Sequence, residues 1–170
     1  MSKFEPFVAV LMGSDSDLPV MQSTLEILNK FSIRYELKIT SAHRTPAGTH
    51  AYVKEAESRG AAVFIAAAGL AAHLAGTVAG LTIKPVIGVP MDAGPLNGMD
   101  ALLSTVQMPG GIPVASMAIG KAGAKNAGYM AAQILALNNV TLTKQITAER
   151  EENARDIEAK DKKVQAQLSS

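Results

Sequence analysis

Three of the 170 residues are histidines, and one of them, His43, stands inside "SAHRTP" between Ser41 and Arg44. Arginine presents a planar fork suited to bidentate contact with phosphate. Histidine ordinarily titrates near pH 6.5, so it can give or accept a proton near neutrality. Thr45 and Pro46 read as the N-cap and first residue of a following helix, which accounts for two of the six positions. Ser41, His43 and Arg44 are left for chemistry: binding of an anionic group next to a proton carrier. A second cluster, "MGSDSDLPV", places Ser14, Asp15, Ser16 and Asp17 just after an apolar run. Gly13 suits a sharp turn there, and Pro19 suits a first helical turn. Four small polar residues exceed the needs of one cap, and they also suit a phosphate and ribose hydroxyls at a helix N-terminus. The segment has neither the GK[ST] of a P-loop nor the spaced glycines of a dinucleotide fingerprint. A third stretch, "AAAGLAAHLAG", breaks at Gly69 and sets His73 at the start of a helix of small residues, where capping and catalysis are both open. Gly76 and Gly80 in that helix read as sites of close packing.

The elements that must position these groups alternate along the chain. Apolar runs at residues 7–12, 35–40, 62–67, 85–90 and 114–119 have strand length and little charge, as expected of parallel strands covered on both faces. Between them, Met21, Leu25 and Leu28 share a helix face, residues 46–58 end before Gly60, and residues 122–137 are rich in helix formers. Alternation of this kind predicts an α/β fold: a doubly wound, flavodoxin-like three-layer sandwich with a central parallel sheet and a C-terminal helix. In such sheets ligands bind beyond the carboxyl ends of the strands, where each of the three clusters falls. The glycine- and proline-rich segment from residue 89 to 114 reads as turns and loops over the same edge, with a glycine-rich lid among them.

Composition narrows the function classes. Apolar residues make up 48% of the chain and aromatics 4%, so the core must be built from small aliphatic side chains. A formal net charge of +1 without a basic cluster before the tail argues against nucleic acid. The absence of cysteine excludes thiolate chemistry and disulfides, and the opening "MSKFEPF" lacks the order of a signal peptide, so a cytoplasmic protein is expected. The uncharged stretch from Ala61 to Ile83 is long enough to span a bilayer. Its Ala/Gly composition, His73 and the break near Gly69 instead predict strand, turn and buried helix, with no membrane partner. One catalytic domain is expected over residues 1–140, followed by a helical extension over 141–170. In that tail Glu151/Arg155, Asp156/Lys160 and Glu158/Lys162 are spaced as ion pairs. Ile146, Ile157, Val164 and Leu168 form a stripe too thin for firm anchoring on the chain's own domain, so a neighbouring subunit is its expected support.

Taken in order, "MGSDSD", "SAHRTP", "GLAAHLAG", "VIGVP", "STVQMPGGIPVA" and "NAGYMAAQIL" resemble the successive motifs of the PurE-type 5-(carboxyamino)imidazole ribonucleotide mutases of purine biosynthesis, over roughly residues 7–138. The chain departs from the family pattern in the third-strand loop, where members commonly read "AGAGGAAHLPG": Leu70 stands for a glycine and Ala75 for a proline. The resemblance implies an isomerase that moves a carboxylate from an exocyclic nitrogen to a ring carbon by release and recapture of carbon dioxide, without metal, nucleotide or flavin cofactor. It implies His43 as the catalytic acid/base, and Ser14, Asp17, Ser41, Arg44, Gly69 and His73 as substrate-binding residues for a small nucleotide. It also implies a homo-octamer with active sites at subunit contacts. Two alternatives have different consequences. A related carboxylase would use free carbon dioxide, and is expected to carry lysine in place of Arg44. A flavodoxin-like binding or signalling domain would leave His43 idle and need a lysine after the fifth strand, where Lys121 stands.

Overall fold

A computed structural model describes residues 5–168. The first four residues of "MSKFEPF" and the last two of the expected tail lie outside the described residues. The elements run β1 (Phe7–Met12), α1 (Leu18–Lys30), β2 (Tyr35–Ile39), α2 (Pro46–Ser58), β3 (Ala61–Ala68), α3 (Leu74–Ala79), β4 (Val86–Pro90), α4 (Met99–Val106), β5 (Ala115–Ser116), α5 (Lys121–Ala136) and α6 (Val140–Leu168). All strand pairs are parallel, in the order β2-β1-β3-β4-β5, the flavodoxin-like doubly wound order.

Alternation of side chains along each strand feeds two cores. Val8, Val10 and Met12 of β1 and Val63, Ile65 and Ala67 of β3 pack with Met21, Leu25 and Leu28 of α1 and the alanines of α5. Phe7, Ala9 and Leu11 face the other way, onto Val53 of α2 and Leu74 and Val78 of α3. The small side chains of α5 let it lie close to α1: a Cβ on Gly128 would stand 2.8 Å from that of Ile27. Residues 61–83 divide into β3, a turn and α3, and no described helix is long and apolar enough to cross a membrane.

Several expectations need correction. β2 is not covered on both faces: it is an edge strand carrying Glu36 and Lys38, and Leu37 and Ile39 are exposed. The fifth strand shrinks to Ala115–Ser116. Beyond it only Met117 N–H and Gly120 N–H still donate to β4, at 2.9 Å each. The loop-like stretch after β4 contains α4, which buries only Ala101 and Thr105; Met99, Leu103 and Val106, apolar and at helical spacing, are exposed. Gly111, Ile112 and Pro113, part of the expected glycine-rich lid, lie with Lys84, Pro85 and Val86 at the amino end of β4, whereas Met108 packs on Gly76 of α3.

The first turns of α6 pack on the chain's own core. Leu142 and Ile146 are buried in it, so Ile146 is no part of an outward stripe, whereas Ile157, Val164 and Leu168 are exposed. Glu149, also buried, pairs with Lys30 of α1 and accepts a hydrogen bond from Tyr129 Oη of α5 at 2.6 Å. Burial opposes its charge, but the Lys30 and Tyr129 hydrogen bonds and the nearby Lys125 charge outweigh it and hold the carboxyl below its usual range. The same contact, added to burial, pushes the Tyr129 phenol up to about 12. The three ion pairs expected along the tail are not among those of the described residues; on a fully solvated helix the entropy of two long side chains cancels so weak an attraction.

Candidate active site

The carboxyl ends of β1, β2, β3 and β4 open into one cavity of about 530 Å³, within the range of small-molecule sites. Ser14, Asp17, Ser41, His43, Arg44, Gly69 and His73 all line it. The structure thus brings together all seven residues that the resemblance assigns to the site, whereas Asp15 of the second cluster is not among the lining residues. Two larger cavities, of about 730 and 650 Å³, lie at the opposite edge of the sheet and contain no histidine. Chemistry rather than size selects the smaller one.

After β1 the chain makes a single 3-10 turn, Asp15–Asp17, closed by a reciprocal cap. Ser14 Oγ accepts from Ser16 N–H at 3.2 Å, and Asp17 Oδ2 accepts from Ser14 N–H at 3.1 Å. Capping therefore engages two of the residues expected to bind ligand. Asp17 is raised above the usual aspartate value, chiefly by burial and further by Asp15, against the lowering effect of the Ser14 and Gly13 N–H groups. Gly13 does not have the positive φ that a sharp glycine turn would show, and a Cβ there would meet only ordinary contacts of 3.7 Å or more. Its carbonyl instead accepts from Arg44 Nη2 at 3.2 Å, which ties the β1 loop to the β2 loop.

The "SAHRTP" segment is held by its own ends. Arg44 N–H donates to Ser41 Oγ at 3.1 Å, so Ser41 has a structural duty beyond any ligand. Thr45 occupies the N-cap position of α2 but its side chain does not cap the helix. The hydroxyl accepts from Ser41 N–H at 2.9 Å and contacts Ser41 O at 3.2 Å, locking the turn. That lock projects His43 and Arg44 outward, and both are exposed.

His73 likewise sits at the N-cap position of α3 without capping it. Its ring turns to His43: Nδ1 lies 2.7 Å from His43 Nε2, with the ring planes at 73°. Next to it, a Cβ on Gly69 would stand 3.0 Å from that of Ala93, so glycine is what lets the β3 and β4 loops meet. Gly76 packs against Met108, as its spacing suggested, but a Cβ on Gly80 would meet only carbonyls of its own helix, 3.6 Å or more away. Ala93 and Leu70, which also line the cavity, were not recognised as site residues; as apolar residues in loops they carry no chemical signal. Lys121 opens α5 and is not among the cavity-lining residues.

This arrangement can bind an anion at Arg44 and move a proton through a paired imidazole. Comparison with known proteins agrees with it. Residues 7–156 match the family described as AIR carboxylase. An N5-carboxyaminoimidazole ribonucleotide mutase of Thermotoga maritima is 52% identical over 152 residues, covering 89% of this chain and 88% of that protein. The mutase of the same name from Bacillus subtilis is 51% identical over 147 residues, covering 86% and 91%. The crystal structure of Treponema denticola PurE superposes with a TM-score of 0.85 at 32% identity, covering 94% of this chain and 98% of that one.

Proposed function

Because the chain belongs to the AIR carboxylase family, we propose that the cavity carries out the reaction named for its relatives in that family. The protein is an isomerase of purine biosynthesis: it converts N5-carboxyaminoimidazole ribonucleotide to its C4-carboxylated isomer. Residue roles follow from what each group can do. Arg44 meets the phosphate with the donors that Gly13 O leaves free, and Ser41 adds a hydroxyl beside it. Ser14 and Asp17 hold the ribose and phosphate oxygens, and Gly69 lets the ring lie close to the backbone. His43 gives a proton to the exocyclic nitrogen as the N–C bond of the carbamate breaks, with the bonding pair staying on nitrogen. The electron-rich C4 then attacks the carbon dioxide. His43 takes the C4 proton as aromaticity returns, so acid and base exchange roles and the proton balance closes. His73, beside it, orients the imidazole.

The observation that carries this reading is the His43–His73 contact at 2.7 Å in a cavity that also holds Arg44. The same contact weighs against a signalling domain, which has no use for two paired imidazoles. His43, Arg44 and His73 are exposed in a single chain, and such an open site cannot hold a released gas. We take a neighbouring subunit to complete it, in a cytoplasmic homo-octamer. The exposed apolar residues Leu37 and Ile39 on the β2 edge and Met99, Leu103 and Val106 on α4 supply contact surface, and the exposed half of α6 has a neighbour to lie on.

Mutase and carboxylase differ in the source of the carbon. The purified protein should convert the carbamate without ATP, metal or added bicarbonate, and a labelled carboxylate should stay in the product. Incorporation of label from bicarbonate at the rate of turnover, with aminoimidazole ribonucleotide as the better substrate, would overturn the mutase reading in favour of the carboxylase.

A further inference from the structure

A left-handed leucine stands at the mouth of the cavity. Leu70 has a φ of 56°, which glycine adopts freely and a bulky side chain only at a cost. It occupies the loop position where the sequence resemblance expects glycine. In a single chain the residue is 52% exposed, so burial within its own subunit does not offset the strain. The side chain is nonetheless seated: a Cβ on Gly94, itself at φ 77°, would lie 2.4 Å from Leu70 Cδ2. Leucine thus fills the space that any other residue at 94 would need. One residue earlier, a Cβ on Gly69 would stand 3.0 Å from the Cβ of Ala93 and 3.4 Å from that of Met91. The loop after β3 and the loop after β4 interlock at these two points, and Leu70 and Ala93 line the cavity together with His43 and His73.

We propose that Leu70 is a positioning residue that closes this wall of the site. Seated on Gly94, its side chain holds residues 91–98 against the β3 loop and keeps carbon dioxide beside the substrate ring between release and recapture. The inference rests on the mutase reading given above. Leucine offers carbon dioxide no hydrogen bond, so it acts by shape alone. Glycine at 70 would relax the backbone but, because Gly94 opposite also lacks a side chain, would leave the space between the two loops empty and open the wall in this chain.

The test compares Leu70→Gly, Leu70→Ala and Leu70→Met with the unsubstituted protein, using unlabelled substrate in labelled bicarbonate. Label per turnover, kcat, KM and thermal midpoint are read together. Leu70→Gly should keep or raise the thermal midpoint while label per turnover rises severalfold, kcat falls and KM stays nearly constant. Leu70→Ala should leak similarly without the gain in stability, and Leu70→Met should behave as the unsubstituted protein. Gly94→Ala should leak as well, and combining it with Leu70→Ala should cost less than the product of the two single effects. A purely structural leucine would lower stability on truncation and leave carbon retention unmoved. Leu70→Gly and Leu70→Ala proteins that take up no more label than the unsubstituted one overturn the proposal while the mutase reading stands. An unsubstituted protein that does not convert the carbamate overturns both.

Discussion

His43 and His73, from loops after β2 and β3, approach at 2.7 Å between Nε2 and Nδ1. Such a contact needs a proton on one nitrogen and a lone pair on the other, so each ring fixes the tautomer and the direction of its partner. His43→Asn removes the titrating group with little change in shape. Turnover should fall by about 10²–10⁴-fold, with substrate binding, measured by calorimetry, retained. His73→Phe keeps a ring of similar bulk but loses the hydrogen bond, and should lower kcat by less while leaving KM nearly unchanged. A His43→Asn protein within a few-fold of normal activity would remove the basis for the assignment.

Arg44 already spends one donor on Gly13 O, which aims the rest of the guanidinium. A hydrogen bond to a charged group is worth about 1.5–3 kcal/mol, so Arg44→Ala should raise KM by about 10- to 100-fold with a smaller effect on kcat. Arg44→Lys should fall between, because an ammonium lacks the planar fork. An unchanged KM in Arg44→Ala would argue against phosphate contact.

Glu149 ties α6 to α1 and α5, and its carboxyl is held below the usual range. A depressed folded-state value means that the carboxylate adds stability above its unfolded value of about 4.3 and loses it as pH falls through the folded value. Glu149→Gln should therefore lower the melting temperature at pH 7 by several degrees, and the gap to the unsubstituted protein should narrow in acid. Melting curves for both proteins across that range test the sign. A gap that does not narrow would mean that the charge contributes nothing.

Sedimentation should find a large homo-oligomer, with an octamer expected. A lysine at the exposed positions Ile39 or Leu103 should dissociate it and abolish activity together, since an open half-site loses its carbon dioxide. A fully active monomer at micromolar concentration would refute a shared site.

Much of this was legible from residue order. Met21, Leu25 and Leu28 at helical spacing announced the buried face of α1, and the charge-free runs of β1, β3 and β4 announced covered strands, because burial acts on local pattern. The chemical residues were legible for a related reason. Ser14, Asp17, Ser41, His43, Arg44, Gly69 and His73 follow the carboxyl ends of their strands, and a parallel sheet must bring those ends to one edge. Where turn residues were overweighed or charges underweighed, the reading failed: the glycines and prolines around α4 masked Met99, Leu103 and Val106 at helical spacing, and Glu36 and Lys38 in β2 already marked a strand open to one side.

Residue types and spacing by themselves determined the doubly wound order of elements, the edge that carries the site and the set of polar groups there. Only the tertiary structure decided how those groups meet. It turned Thr45 and His73 away from the caps that their positions suggested, one to lock the 41–45 turn and the other to reach His43. It also sent residues 111–113 to the far edge and seated Leu70 on Gly94. The physical reason is common to all four. A cap, a lid or a glycine position is a local preference worth about 1 kcal/mol, whereas contacts between loops from different strands depend on where the sheet holds them, which nothing within a few residues of sequence encodes.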